Sequence, residues 1–149
     1  MTYEQLKLEN QLCFPLYAAS RLIIQEYQPH LEKLGITYPQ YLVLMVLWET
    51  DSITVNEITR RLILNTNTIT PVLKRMETQG ILTRQRSQED ERKVIVSLTA
   101  RGRQLQTEAA SIPEKMAAGL LSGEIKMEEL QKLKEQLYLI IDQLSPKQT

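Results

Sequence analysis

The most reactive side chain in this chain of 149 residues is a single thiol, Cys13. A lone cysteine on an apolar face is commonly an inert buried group, but two neighbouring features argue for more. Pro15 lies two residues on, so a regular helix begins or kinks near Cys13, and a thiol at a helix N-terminus sits where the macrodipole favours the nucleophilic thiolate. Tyr17, Tyr27, Tyr38 and Tyr41 follow, with hydroxyls able to donate hydrogen bonds to a thiolate. The chemistry open to this set is oxidation of the thiol to a sulfenic acid. With no second cysteine, the same chain cannot resolve that product as a disulfide. The routes left are a mixed disulfide with a small thiol, cyclisation onto a backbone nitrogen, a Cys13–Cys13 link between two copies, or overoxidation; the sequence does not choose among them. No catalytic group, metal ligand set or cofactor motif accompanies the thiol. His30 is the only histidine, and one cysteine excludes a multi-cysteine zinc site.

A second set of residues suits nucleic acid. The chain carries 18 Lys+Arg against 18 Asp+Glu, a formal net charge of zero. The charges are nevertheless segregated. Residues 56–103 hold ten basic and five acidic side chains, a net of +5, while the rest holds eight basic and thirteen acidic, a net of −5. That asymmetry suggests a cationic surface on an acidic body, although charge alone leaves an ordinary solvated face equally open. Within this window Asn65, Thr66, Asn67, Thr68 and Thr70 are the short polar side chains that base edges require at the N-terminal end of a major-groove helix. The same residue types also cap helices. Lys74 and Arg75 can reach phosphates further along. Arg86, Asp90, Arg92 and Lys93 surround a charged turn. An arginine at such a tip can enter a narrow minor groove, and Asp90 can orient the Arg92 guanidinium.

The periodicity supplies a mainly α (α+β) scaffold to position these groups, in one domain over 1–149. About 150 residues bury roughly 70% of the unfolded surface, so no metal or disulfide staple is needed. Leu12, Leu16, Ile23, Tyr27 and Leu31 mark one face of a first helix ending near Gly35. Thr37-Tyr38-Pro39 starts a second, with Tyr41–Trp48 apolar on nearly all sides. Thr54 and Glu57 predict a capping box over a short helix that turns Val55, Ile58 and Leu62 inward. Asn65-Thr66-Asn67 reads as a polar turn before a helix carrying Ile69, Val72, Leu73 and Met76 and stopping at Gly80. Pro71 inside that helix predicts an irregular first turn.

Ile81–Arg86 and Lys93–Leu98 then read as two strands joined by the turn Ser87–Arg92. Thr99 opens a helix with Leu105, Ala109, Ile112 and Met116 on one face, which Pro113 should kink. Gly119–Gly123 reads as a break. A last helix sets Met127, Leu130, Leu133, Leu137, Ile140 or Ile141, and Leu144 on one stripe. Together these elements form a winged helix-turn-helix over 53–99, between helical segments at 1–35 and 100–149. The final stripe exceeds what a small winged domain can cover, which favours dimerisation over intrachain packing. Apolar runs such as Tyr41–Trp48 fall short of the ~20 residues that span a bilayer, so no membrane role is expected. The single cysteine and the lack of a secretory signal point to a cytoplasmic setting.

The winged core, the turn Glu89-Asp90-Glu91-Arg92 and the following Leu98-Thr99-x-x-Gly102 resemble the MarR family of bacterial regulators. Within it the chain is similar to the organic hydroperoxide resistance repressors with one reactive cysteine. The stretches that carry this likeness are Leu8-Glu9-Asn10-Gln11-Leu12-Cys13-Phe14, Leu16-Tyr17-Ala18-Ala19-Ser20-Arg21, Leu34–Tyr41 and Thr70-Pro71-x-Leu73-Lys74-Arg75-Met76-Glu77, spanning most of the chain in order. The resemblance implies a homodimer with both terminal segments interleaved and two wings gripping an inverted-repeat operator in double-stranded DNA. It implies no enzyme activity and no cofactor. It makes the cysteine matching Cys13 a peroxide sensor, with tyrosines matching Tyr27 and Tyr38 hydrogen-bonding it from the partner subunit and Tyr17 close by. On that reading the reduced dimer represses. An organic hydroperoxide, or hypochlorite, oxidises Cys13; a low-molecular-weight thiol can follow; DNA is released and peroxide-resistance genes are derepressed.

Two departures stand out. Related repressors usually carry Asp-Ser-Gly where this chain has Asn65-Thr66-Asn67, so no operator sequence is carried over. Pro15 replaces an aliphatic residue or alanine. Two other readings stay open: a MarR-type regulator released by a small phenolic ligand with Cys13 inert, and a one-cysteine thiol peroxidase.

Overall fold

A computed structural model describes residues 1–146; the last three residues of the expected 100–149 segment lie outside the described residues. Two 3-10 turns, Glu4–Leu6 and Leu8–Asn10, lead into α1 (Cys13–Glu32) and α2 (Tyr38–Glu49). Then come β1 (Ile53–Thr54), α3 (Val55–Leu62), α4 (Thr66–Thr78), β2 (Leu82–Arg86) and β3 (Val94–Leu98). α5 (Ala100–Ala109), α6 (Ile112–Leu121) and α7 (Met127–Leu144) complete the described chain.

The start of α2 follows from its sequence. Thr37 Oγ1 accepts from the Gln40 N–H at 3.4 Å, and Gln40 Oε1 accepts from the Thr37 N–H at 3.1 Å, so two otherwise orphaned donors are satisfied reciprocally. Pro39 sits in the first turn, where its missing N–H costs nothing. α2 is the central helix, burying Tyr41, Val43, Leu44, Val46 and Leu47. Ile58 from α3, Ile69, Leu73 and Met76 from α4, Leu82 and Val96 from the strands, and Leu105 from α5 close the core with it.

The expected capping box on α3 is half made. Thr54 Oγ1 accepts from the Glu57 N–H at 3.1 Å, but no return bond from Glu57 forms among the described residues. The strands form an antiparallel sheet in the order β1-β3-β2, with Ile53 opposite Val96 and Leu82 opposite Leu98. β1 was not expected, because two residues carry no readable alternation.

Four expectations are corrected. Thr66 and Asn67 belong to the first turn of α4 and not to a preceding turn, since Asn65 is the cap. α4 continues as regular α-helix through Pro71. Pro71 is its sixth residue, so one bond, to the Asn67 carbonyl, is lost, and burial of Ile69, Leu73 and Met76 holds the helix together. The segment after Thr99 is two helices and not one kinked helix: the chain breaks at 110–111, and Pro113 lies in the first turn of α6. Gly119 remains helical, and the break falls at 122–126.

Gly102 marks a close approach of α5 to the sheet. A Cβ there would lie 2.3 Å from the Ile81 carbonyl oxygen and 3.0 Å from Leu98 Cδ2. That carbonyl cannot retreat, because it accepts from the Thr99 N–H at 3.0 Å and from Thr99 Oγ1 at 2.9 Å. Gly102→Ala is expected to destabilise the fold by about 3 kcal/mol, read as a lowered urea midpoint with unchanged slope.

The terminal helices are only partly covered. In α1, Leu31 is buried and Ile23 and Tyr27 are half-buried, but Phe14, Leu16, Tyr17 and Leu22 are exposed, as is Leu12 just before the helix. α7 has no buried residue and exposes Leu133, Tyr138, Leu139, Ile140 and Leu144. No helix among the described residues is long and apolar enough to cross a membrane.

Candidate DNA interface and thiol site

The recognition helix α4 presents its N-terminal end to solvent. Asn65 Oδ1 accepts from the Thr68 N–H at 2.9 Å and from Thr68 Oγ1 at 3.0 Å, and Thr70 Oγ1 donates to the Thr66 carbonyl at 2.8 Å. Asn65, Thr68 and Thr70 therefore build and brace the helix start before they can do anything else. Thr66 and Asn67 are exposed, and their side chains make no hydrogen bond among the described residues. Lys74 lies one turn beyond Thr70 on the same face and is exposed. Arg75 is also exposed but faces elsewhere, lining a crevice with Gly35, Thr37, Gln40, Thr78 and Gln79.

The wing is set by its own polar contacts. The Ser87 N–H donates to the Lys93 carbonyl at 2.8 Å, closing the hairpin, and Arg86 Nη1 donates to the Glu91 carbonyl at 3.0 Å. Asp90 Oδ1 accepts from the Arg92 N–H at 3.1 Å and from Arg92 Nε at 3.3 Å, as expected, while the Arg92 side chain stays 92% exposed. Such an exposed pair adds little stability; it holds the guanidinium at the tip. A crevice of about 220 Å³ between wing and helix is lined by Thr66, Thr70, Arg92 and Lys93, together with Asn56 and Arg84.

Sequence reasoning missed Arg84 as a member of this site. The available signal was strand alternation, which puts Arg84 and Arg86 on one face of β2, pointing past Gln85. The Arg84 backbone N–H donates to Glu77 Oε2 at 3.0 Å, and its Nη2 donates to Oε1 at 3.2 Å, so wing and recognition helix are clasped together. Its Nε is buried with no partner. The hydrogen bond from Arg84 holds the Glu77 carboxyl below the ordinary carboxylate range. A depressed folded value means the clasp stabilises at neutral pH and is lost as pH falls through it. Glu77→Gln should therefore flatten the acid side of the stability profile, measured as urea midpoints between about pH 3 and pH 6; an acid limb as steep as wild type would refute this.

Cys13 is the first residue of α1 and is exposed in the single chain. Leu12 precedes it with no side-chain cap, so the first-turn N–H groups face outward unpaired by a cap. Tyr17 lies one turn on, with the Arg21 guanidinium 4.8 Å above its ring. Tyr27 and Tyr38 are brought together, ring centroids 5.1 Å apart, and Tyr41 joins them at 5.8 and 6.3 Å. Burial raises the phenol of each above its ordinary value, with Tyr27 adding to the effect on Tyr38 and Tyr41. All three therefore stay protonated and remain donors through the neutral range. Tyr38 also lines a cavity of about 380 Å³ with Ile24, Gln28, Leu31, Ile36 and Pro39. Fourteen residues of helix separate Cys13 from Tyr27, about 21 Å along α1. The structure thus places the thiol at the start of α1 and the Tyr27–Tyr38–Tyr41 cluster toward its far end, with Tyr17 alone near Cys13, and the chain does not bring thiol and cluster into contact by itself. No group of three His, Cys, Asp or Glu side chains among the described residues could hold a metal ion.

Fold and site together define a winged helix-turn-helix regulator of transcription. Residues 25–109 match the family model described as transcriptional regulator SarA/Rot. Over 147 residues the chain is 48% identical to the organic hydroperoxide resistance transcriptional regulator of Bacillus subtilis, covering 97% of this chain and 97% of that protein. It is 42% identical to reduced AbfR bound to DNA, over 95% of this chain and 96% of that one, with a TM-score of 0.73. Against overoxidised AbfR bound to DNA the identity is 42%, the coverage 97% and 100%, and the TM-score 0.75; AbfR comes from Staphylococcus epidermidis. The chain belongs to the MarR/SarA-type family of transcriptional regulators, in its organic hydroperoxide resistance branch. Family and fold class are those expected from the sequence.

Proposed function

We propose that the protein is a cytoplasmic homodimeric repressor, not an enzyme, that leaves operator DNA when an organic hydroperoxide oxidises Cys13. The observation that carries this reading is the separation of the thiol from its tyrosines. Cys13 and Tyr27 sit about 21 Å apart along α1, with Tyr38 of α2 packed against Tyr27, and the uncovered apolar faces of α1 and α7 call for a second copy. A two-fold partner laid along those faces sets each Cys13 against the other subunit's phenols. On this reading 1–35 and 100–149 dimerise, and 53–99 is the DNA-binding lobe.

Thr66 and Asn67 then read base edges from the lip of α4, with Asn65, Thr68 and Thr70 shaping that lip. Lys74, Arg86 and Lys93 meet phosphates, Arg75 lies off that face beside Gln79, and Arg92 enters the minor groove, held by Asp90. The Cys13 thiolate attacks the outer oxygen of the hydroperoxide, and the O–O bond breaks. The leaving alkoxide takes a proton and departs as the alcohol, leaving a sulfenic acid. Because overoxidised AbfR is a DNA complex, the reversible products are better supported as the releasing state here, a mixed disulfide with a low-molecular-weight thiol among them. Such a product alters the packed interface, and a small rotation of the two lobes breaks the half-site spacing. Release then derepresses peroxide-resistance genes.

The test is DNA retention on a duplex selected from a randomised library by the reduced protein, titrated with cumene hydroperoxide and then dithiothreitol, with intact mass recorded alongside. Reversible release that tracks the sulfenate or its thiol adduct is expected. Full retention by protein whose Cys13 is oxidised and capped would sink the proposal. The 380 Å³ cavity beside Tyr38 favours one second reading, release by a small phenolic ligand. Loss of DNA from a Cys13→Ser protein on adding salicylate would support it.

A further inference from the structure

The corner that carries Tyr38 is tied to the far end of the recognition helix by two glutamines. Gln40 is the buried polar side chain of the core, at 4% exposure. Its Oε1 accepts from the Thr37 N–H at 3.1 Å, and its Nε2 donates to Gln79 Oε1 at 3.0 Å. Gln79 is the C-terminal cap of α4, its N–H donating to the Arg75 carbonyl at 2.9 Å. Its Nε2 returns to the Gly35 carbonyl at 3.1 Å. The ring closes from the 35–37 backbone through Gln40 and Gln79 and back. Both amides are fixed in orientation, because the Thr37 N–H needs an acceptor and the Gly35 carbonyl needs a donor. α2 also packs on α4 through the apolar core, but apolar contact is non-directional. The glutamine ring is directional, and breaking it strands a buried amide.

We propose that Gln40 and Gln79 are positioning residues that carry the state of the thiol sensor to the DNA-reading helix. Tyr38 is the first residue of α2 and follows Thr37 directly, so any displacement of its ring on Cys13 oxidation moves the ring's backbone edge. Gln79 passes that movement to the C-terminus of α4. As one continuous helix of 13 residues, α4 delivers it to Thr66 and Asn67 at the other end. The proposal rests on the reading of Cys13 and Tyr38 as the sensor.

The experiment uses the full-length dimer and the duplex selected by reduced wild type. Gln79→Ala, a surface substitution whose folding is checked by circular dichroism, is expected to bind that duplex within about threefold of wild type when reduced, and to oxidise at Cys13 as readily by intact mass. Its affinity loss on oxidation should be about tenfold smaller than that of wild type, within the usual span of coupling between sites. Gln79→Glu, which keeps the acceptor for Gln40 and loses the donor to Gly35, should fall between the two. An oxidised-to-reduced affinity ratio equal to that of wild type would overturn the proposal. A second arm needs no oxidant: Tyr38→Ala and Gln79→Ala are combined in a double-mutant cycle on duplex affinity. Non-additivity of about fivefold or more supports the ring even if wild type ignores peroxide, an outcome that would sink the sensor reading alone. Strict additivity overturns the ring.

Discussion

A Cys13→Ser dimer is expected to hold its duplex at cumene hydroperoxide concentrations that weaken wild-type binding by about a hundredfold. Serine is a slightly smaller, polar stand-in for the thiol that peroxide does not oxidise, so the reduced-state affinity should change little while the response disappears. The tyrosines give the graded counterpart. Tyr27 and Tyr38 are protonated at neutral pH as phenols ordinarily are, and burial pushes their ionisation further up, so in the proposed dimer they act as fixed donors to the thiolate. Tyr27→Phe and Tyr38→Phe should slow oxidation, seen in stopped-flow loss of thiol, without abolishing it, because the helix start supplies a share of the thiolate stabilisation. The informative comparison is rate against extent. If the phenylalanine variants reach full release slowly, the phenols tune reactivity; if Cys13→Ser releases as wild type does, the thiol is structural and the cavity beside Tyr38 becomes the place to look.

Much of this arrangement is legible in the sequence for reasons that can be named. The Tyr41–Trp48 stretch of α2 is apolar on nearly all sides, which marks it as central. Asn65, Thr99 and Thr37 are caps of the type and spacing that their helices use. Asp90 and Arg92 are close enough along the chain for their pairing to be read locally. What escapes is non-local or too short. β1 is two residues, fixed only by its partner strand. Gln40 and Gln79 are 39 residues apart, and neither type nor spacing announces that one buried amide answers the other. Arg84 is one of ten basic residues in its window, and only the packing of β2 against α4 selects it for Glu77. Pro71 and Pro113 were both expected to distort a helix. The first is absorbed by burial on its own helix, and the second simply begins a new one. The proposed Cys13–tyrosine relation is the furthest from local reading, since it requires a second copy of the chain.

The second large effect concerns α7. Leu133, Ile140 and Leu144 fall at helical intervals on one exposed stripe, and Phe14 and Leu22, eight residues apart, leave apolar side chains exposed on one side of α1. Burying a leucine or isoleucine contributes about 1.5–3 kcal/mol, and a two-fold interface counts each position twice. Leu133→Glu with Ile140→Glu is therefore expected to leave the protein monomeric at micromolar concentrations, measured by sedimentation equilibrium, with its helical content intact because neither side chain is buried within the chain. The cost to DNA binding should be larger than the loss of any single contact. A monomer engages one half-site, so operator affinity should drop by about a thousandfold toward the non-specific level, and the salt dependence should shallow as half the phosphate contacts vanish. The same variant separates the two roles assigned to the interface. If the thiol reacts only when the partner's phenols face it, the monomer should also oxidise slowly. A monomer that oxidises at the wild-type rate would mean that the helix start alone activates Cys13 and that dimerisation serves the DNA.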